Sequence, residues 1–159
     1  MNTSTLPLTL TLRRHIAAPP ERVFALWTAD PARPEDFWAP KGFTLVRREA
    51  DLRPGGRWMI AMRAPDGTVM RNGGEYRAID APAYLEMTHA WLDEAGRRTS
   101  PETVVRIRFT ASGGGCDMHF EQTGFDSADE RDGHGHGWAE AFDALGAAAA
   151  ASDVSPART

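Results

Sequence analysis

Apolar and non-apolar residues alternate near the start of the chain. Leu6, Leu8, Leu10 and Leu12 are separated by Pro7 and by threonines, a period of two that is typical of a strand with one buried face. Because proline cannot donate a hydrogen bond to a neighbouring strand, we expect this strand to begin at an edge of its sheet.

Two short helices are predicted after this strand. In APPERVFALWTADP the prolines fit a first helical turn, and Val23, Phe24 and Trp27 follow at helical spacing. Pro31 ends this helix, because the residue before a proline avoids helical backbone angles. The next segment, PARPEDFWAP, can hold a second short helix that carries Trp38.

From Gly42 to Thr123, strand-like runs alternate with short segments of glycine, proline, aspartate and serine. The six runs are GFTLVRREADL, RWMIAMRA, TVMRNGGEYRAI, YLEMTHAWL, TVVRIRFTA and CDMHFEQTG. Connections this short suit hairpins, so the pattern predicts an antiparallel meander. Together with the first strand it makes a seven-stranded antiparallel sheet.

A long helix is predicted at the end of the chain. Ser127 and Glu130 have the spacing of a capping box, which marks a helix start. One face of this helix then carries His134, Trp138, Phe142, Leu145 and Ala149. The sequence therefore predicts an α+β fold, in which this helix covers the apolar face of the curved sheet.

The length of 159 residues favours one domain. We assign residues 1–151 to this domain and expect the polar segment 152–159 to be a disordered tail. The net charge of −4 argues against nucleic acid as a partner, since phosphate binding needs a concentrated positive field.

We expect neither a membrane segment nor an export signal in this chain. No run approaches the ~20 apolar residues that span a bilayer, so no membrane partner is expected. Cys116 is the one cysteine, which excludes an internal disulfide, and the first residues lack a basic leader. These features predict a cytoplasmic protein.

Several separated segments resemble those of one protein family. They are APPERVFALWTADP, FWAP, RPGGRW, GGEYRAIDAPAYLEMTHAW and HGHGWAEAFDAL, which includes the Gly-Trp pair of the family's last helix. From about His15 to Ala149 the chain is similar to the AHSA-type homologues of the heat-shock-protein ATPase activators, within the START-like (SRPBCC) superfamily. The resemblance implies a helix-grip fold, in which the sheet wraps around the last helix and leaves a cavity between them.

Alternation within the predicted strands selects the residues that would face this cavity. The apolar parity is shared by Trp58, Ile60, Met62, Gly74, Tyr76, Leu85, Met87, His89, Trp91, Val105, Ile107, Phe109, Met118, Phe120 and Gln122. The opposite parity carries mostly arginine, aspartate and glutamate. A slip of one residue in register would exchange the two faces.

The segment Gly133–Gly137, with histidines at 134 and 136, is not interpreted as a metal site. Two residues apart on a helix, the histidines point about 200° from each other and cannot share an ion, and no further ligands stand at a suitable spacing. Neither a metal nor a cofactor is predicted. Each glycine inside a helix costs ~1 kcal/mol relative to alanine, so we expect the glycines to make room for the sheet or for a ligand. We expect His134 to face the cavity and His136 to face away.

Four polar groups, Tyr76, His89, Gln122 and His134, are expected to converge on the cavity. A mostly apolar pocket with a few directed polar groups is typical of small-molecule sites. The leading hypothesis is a non-catalytic protein that binds a small hydrophobic or aromatic ligand, and a stress-related role is a further expectation. The predicted ligand-binding residues are Trp38, Trp58, Met62, Tyr76, His89, Trp91, Phe120, Gln122, His134 and Trp138, with Trp38 near the mouth.

Other functions stay open. A histidine and tyrosine pair could move a proton, as in a polyketide-cyclase-like or aldolase-like enzyme, although no catalytic residue is predicted. The resemblance also implies a possible co-chaperone, with a heat-shock chaperone as partner. The eukaryotic activators carry an additional N-terminal domain, whereas this sequence starts directly with its first strand. Modulation of a transcription factor or another enzyme is a third possibility, and either a monomer or a homodimer fits.

Overall fold

The computed structural model describes residues 8–28 and 38–153, with side chains up to residue 150. Its elements are β1 (Leu8–Ile16), α1 (Pro20–Trp27), β2 (Thr44–Ala50), β3 (Arg57–Arg63), β4 (Val69–Asp80), β5 (Tyr84–Leu92), β6 (Thr103–Ser112), β7 (Gly115–Phe125) and α2 (Ala128–Asp153). This order confirms the predicted α+β fold and the short helix after the first strand. Most of the predicted second short helix lies outside the described residues.

The seven strands form one antiparallel sheet in the order β1-β7-β6-β5-β4-β3-β2. The strands β2 to β7 follow one another as hairpins, as the short connections predict. β1, the first strand of the chain, pairs with β7, the last strand. β1 therefore lies at an edge of the sheet, as the proline at its start predicts.

The predicted parity is confirmed by the burial of the strand side chains. Leu85, Val105, Ile107 and Phe120 have no measurable exposure, whereas Arg57 and several other charged residues of the opposite parity are exposed. The register places inward residues side by side on neighbouring strands, and one such row is Tyr76, Met87, Val105 and Gln122. Thr88 and Ala90 are also buried, although they have the opposite parity.

Helix α2 begins where the capping box predicts. The backbone N–H of Glu130 donates to the Ser127 hydroxyl oxygen over 3.0 Å, which satisfies one of the free N–H groups at the helix start. The helix then packs mainly on β1, with smaller contacts to α1 and β7. It continues to Asp153, two residues beyond the predicted end of the domain, and residues 154–159 lie outside the described part of the chain.

Candidate functional site

A cavity of about 470 Å³ lies between α2 and the half of the sheet made by β2 to β5. Small-molecule sites in proteins typically enclose about 300–1,000 Å³, so a ligand of drug-like size fits this volume. The end of α1 and the segment that follows residue 37 complete the wall, through Trp27, Trp38, Ala39, Pro40 and Phe43.

All 5 tryptophans of the chain line this one cavity. They are Trp27, Trp38, Trp58, Trp91 and Trp138. The indole N–H of Trp27 donates to the sulfur of Met118 over 3.3 Å. The N–H of Trp38 donates to the carbonyl oxygen of Leu26, and that of Trp58 to the carbonyl oxygen of Thr88, each over 3.1 Å. These three indoles therefore face the cavity with ring surface, while their polar atoms are bound within the protein.

Trp138 of α2 is held in the same way by Gln122. The Trp138 N–H donates to Oε1 of Gln122 over 2.8 Å, and Nε2 of Gln122 donates to the Thr103 hydroxyl over 2.8 Å. The Thr103 hydroxyl donates in turn to the carbonyl oxygen of His89. Gln122 is fully buried, so its amide fixes the indole that faces the cavity without reaching the cavity itself.

The positions of two predicted site residues are therefore corrected. Phe120 and Gln122 share the inward parity but do not line the cavity. β7 belongs to the half of the sheet that α2 covers. Phe120 packs under Trp138, with 4.8 Å between the ring centroids. The other eight predicted residues all line the cavity; their role in ligand binding stays a prediction.

Trp91 and His134 join β5 to α2 across the cavity wall. The indole N–H of Trp91 donates to Nε2 of His134 over 3.1 Å. Since an indole nitrogen is only a donor, this His134 nitrogen carries no proton and the imidazole is neutral. Burial lowers the pKa of His134, against a smaller opposing effect of the Glu130 carboxylate.

His89 lies against His134, with 5.5 Å between the two ring centroids. Trp58, Trp91 and Trp138 surround it at 5.8, 5.7 and 6.1 Å. Burial is the main cause that lowers the pKa of His89 to about 3, and the neighbouring His134 adds to it. Both imidazoles are therefore uncharged at neutral pH.

Two polar side chains of β4 face the cavity without a protein partner. Asn72 is 7% exposed and Tyr76 is 4% exposed, and neither side chain makes a hydrogen bond to another residue in the described ranges. Burial raises the pKa of Tyr76, partly opposed by the charge of Arg48, so its hydroxyl keeps its proton. Buried polar groups are normally hydrogen-bonded, and these two can pair with a group inside the cavity.

The glycines of α2 make room in two different ways. A Cβ on Gly135 would lie 3.0 Å from a methyl carbon of Leu10, so this glycine lets the helix approach β1. A Cβ on Gly133 or Gly137 would meet no atom within 4 Å, and both positions line the cavity. These two glycines leave volume that larger residues would fill.

The exposed edge of α2 borders the cavity as well. Asp129, Gly133, His136 and Glu140 lie at helical spacing along this edge and belong to the lining. The expectation that His136 faces away is therefore corrected. Because the cavity opens along the side of the helix, His134 lies inside it and His136 lies at its solvent edge.

Sequence reasoning missed several lining residues. Trp27 of α1 belongs to the core and also borders the cavity, where it packs against Trp38 with 4.7 Å between centroids. Asn72 shares the parity of Gly74 and Tyr76, and that alternation was the available signal for it. No pattern in the sequence marks Ala39, Pro40 or Phe43.

The described residues offer neither a metal cluster nor a membrane-spanning helix. Within residues 8–28 and 38–153, no three histidine, cysteine, aspartate or glutamate side chains come close enough to hold a metal ion. The helices of these same ranges include none that is long and apolar enough to cross a membrane.

Comparison with known proteins gives consistent matches. Residues 17–150 match the family model described as Activator of Hsp90 ATPase homolog 1-like protein. No curated protein matches.

Solved structures of bacterial proteins superpose closely on the chain. Protein Ms6760 from Mycobacterium smegmatis is 27% identical, with 96% of this chain and 93% of that chain covered and a TM-score of 0.76. Protein CV1439 from Chromobacterium violaceum is also 27% identical, with 87% and 94% covered and a TM-score of 0.75. The AHSA1 protein SPO3351 from Silicibacter pomeroyi is 24% identical, with 91% and 99% covered and a TM-score of 0.77.

Proposed function

Since this chain belongs to the family of Activator of Hsp90 ATPase homolog 1-like proteins, whose START-like fold is a ligand-binding scaffold, we propose that it binds a small molecule with an aromatic ring system in the cavity beside α2. The observation that carries the proposal is the arrangement of the tryptophans. All 5 border one cavity, and each indole N–H is bound by the protein.

Indole rings held in this way favour a flat apolar ligand. Aromatic pairs contribute about 0.5–1.5 kcal/mol beyond the burial of area alone. Because the N–H groups are already paired, a ligand meets the rings and not their donors. A neighbouring row of apolar residues on β3, Trp58, Ile60 and Met62, extends this surface.

Asn72 and Tyr76 support a ligand that also carries a polar group. Each side chain can donate and accept a hydrogen bond, and each is more than nine-tenths buried. Their polar atoms are accessible from the cavity. A ligand with a polar group can pair with them, whereas one that lacks such a group covers them and leaves them unpaired, at a cost of about 1–3 kcal/mol.

The histidines favour binding over proton transfer. A general base needs a pKa near the working pH and a free lone pair. Burial lowers the pKa of His89 to about 3, and the basic nitrogen of His134 accepts the N–H of Trp91. Cyclase-like chemistry with Tyr76 therefore has weaker support than binding.

Native mass spectrometry of the purified protein tests this proposal. We expect the native mass to exceed the denatured mass by a few hundred daltons, or aromatic compounds to raise the melting temperature when they are added. A bare protein whose melting temperature no compound of an aromatic and lipid panel changes would contradict the proposal.

The family description gives one reason to keep the co-chaperone hypothesis. A chaperone partner would act through the protein surface, so blocking the cavity should leave its effect on the chaperone ATPase unchanged. Stimulation of that ATPase by the bare protein would support this second function. The cytoplasmic location, the stress-related role and the monomer or homodimer state stay predictions.

A further inference from the structure

Carboxylates border the cavity along α2. Asp129, Glu130 and Glu140 all belong to the lining, and none of them forms an ion pair with another residue in the described ranges. Glu49 of β2 is a fourth lining carboxylate, and it pairs with Arg47 outside the cavity. The helix edge therefore gives the mouth a negative charge.

Positive charge is scarcer in the same wall. Among the lining residues that the structure describes, Arg48 is the one arginine or lysine. It lies on β2, across the cavity from α2, and its charge acts on Tyr76. The inner histidines add no positive charge, because His134 accepts the N–H of Trp91 and His89 is buried beside it.

Indole faces and carboxylates attract the same kind of group. The face of an aromatic ring carries negative charge in its quadrupole, and tryptophan attracts a cation most strongly among the aromatic side chains. Trp38, Trp91 and Trp138 are each partly exposed, so their rings are accessible from the mouth that the carboxylates border. A ligand carboxylate at this place meets repulsion from both features.

Building on the proposed function, we propose that the ligand is an aromatic amine. Its protonated nitrogen lies at the α2 edge, near Glu140, and its ring lies among the indoles. Asn72 and Tyr76, which are buried and lack a partner in the described ranges, bind a polar substituent at the inner end of the ring. Burial of these two groups points to a ligand independently of the acidic edge.

Calorimetric titration with three probes of one ring system tests the charge preference. At neutral pH, naphthylmethylamine is positively charged, methylnaphthalene is uncharged and naphthoate is negatively charged. We expect the amine to bind at least about tenfold more tightly than the carboxylate. The preference should shrink at high salt, since exposed charges are screened.

A pair of variants locates the charge that matters. Glu140→Gln should weaken binding of the amine by about threefold and leave methylnaphthalene unchanged. Asp132→Asn removes the same charge from the same helix, at a position outside the lining that pairs with Arg131, and should change neither probe.

The outcomes separate this inference from the proposed function. Tighter binding of naphthoate than of the amine, or an amine affinity that Glu140→Gln does not change, would overturn the aromatic-amine assignment while ligand binding itself stands. Failure of all three probes, together with a bare native mass and an unmoved melting temperature across the aromatic panel, would overturn both.

Discussion

The two halves of the sheet differ in what covers them. On the side of β1 and β7, α2 closes over the inward residues, and Phe120, Gln122 and Phe142 are at most 1% exposed. On the side of β2 to β5, inward residues such as Trp58 and Met62 border a cavity of about 470 Å³. The same alternation thus produces a packed core in one half and a candidate site in the other. Alternation selects the face of a strand, and the position of the helix decides what that face does.

The packed half should be the more sensitive to truncation. Phe120→Ala removes a fully buried ring beneath Trp138, Trp27 and Phe142, and we expect it to lower the free energy of unfolding by about 3–5 kcal/mol. Met62→Ala should cost about 2 kcal/mol, the lower end for such truncations, because Met62 borders the cavity and is 9% exposed. Chemical denaturation followed by circular dichroism measures both, and equal losses would contradict the contrast between the halves.

Acid should destabilise the protein through the histidines at the join of the two halves. Burial lowers the pKa of His89 and His134 in the folded protein below the ordinary value of 6.5, so the unfolded chain binds more protons as the pH falls. Their contribution to stability is complete above 6.5 and is lost below it, by up to about 1.4 kcal/mol per pH unit for His89. The decrease in the free energy of unfolding should already appear at pH values above 3.8, the ordinary pKa of an aspartate.

Histidine variants test whether these side chains cause the loss of stability in acid. Thermal unfolding is measured at a series of pH values between 6.5 and 3.8. As the pH falls, the melting temperature should decrease less for His134→Gln than for the unchanged protein. His136→Gln, at the exposed edge of the same helix, serves as the control and should leave the decrease unchanged. A decrease that neither His134→Gln nor His89→Gln reduces would argue against this origin.

The hydrogen bond between Gln122 and Trp138 connects the packed half to the cavity. Gln122→Leu leaves the Trp138 N–H without its acceptor and removes the donor to the Thr103 hydroxyl, which keeps its bond to the His89 carbonyl oxygen, so we expect a loss of about 1–3 kcal/mol in the free energy of unfolding. A double-mutant cycle with Trp138→Phe should give a coupling energy of about 1 kcal/mol. Strictly additive losses would show that the bond does not hold the indole in place.

The sequence predicted most of the fold because each element depends on local signals. Ser127 and Glu130 marked the start of α2, the alternation in RWMIAMR marked the inward face of β3, and the short turns determined the antiparallel order. The resemblance supplied the helix-grip arrangement. With that arrangement, the same parity predicted that residues such as Trp58, His89 and Trp91 face the cavity.

The remaining parts of the site depend on packing between elements far apart in the chain. Phe120 and Gln122 have the correct parity but lie under α2, and their strand pattern contains no information on where that helix crosses the sheet. His136 points out of the helix on a wheel projection, yet the cavity extends to it along the helix side. Trp27 belongs both to the core and to the wall, a double role that helical spacing alone does not distinguish.

Filling the cavity from α2 tests the central claim most directly. Gly137→Leu places a side chain where a Cβ meets no atom within 4 Å, in the cavity lining, and Gly146→Leu makes the same change at an equally open position outside the lining. Both variants should fold, since leucine is a better helix former than glycine by about 0.8 kcal/mol. Calorimetric titration with naphthylmethylamine and methylnaphthalene should show at least a tenfold loss of affinity, about 1.4 kcal/mol, for Gly137→Leu and no change for Gly146→Leu. Equal affinity in the two variants would contradict the assignment of this cavity as the binding site.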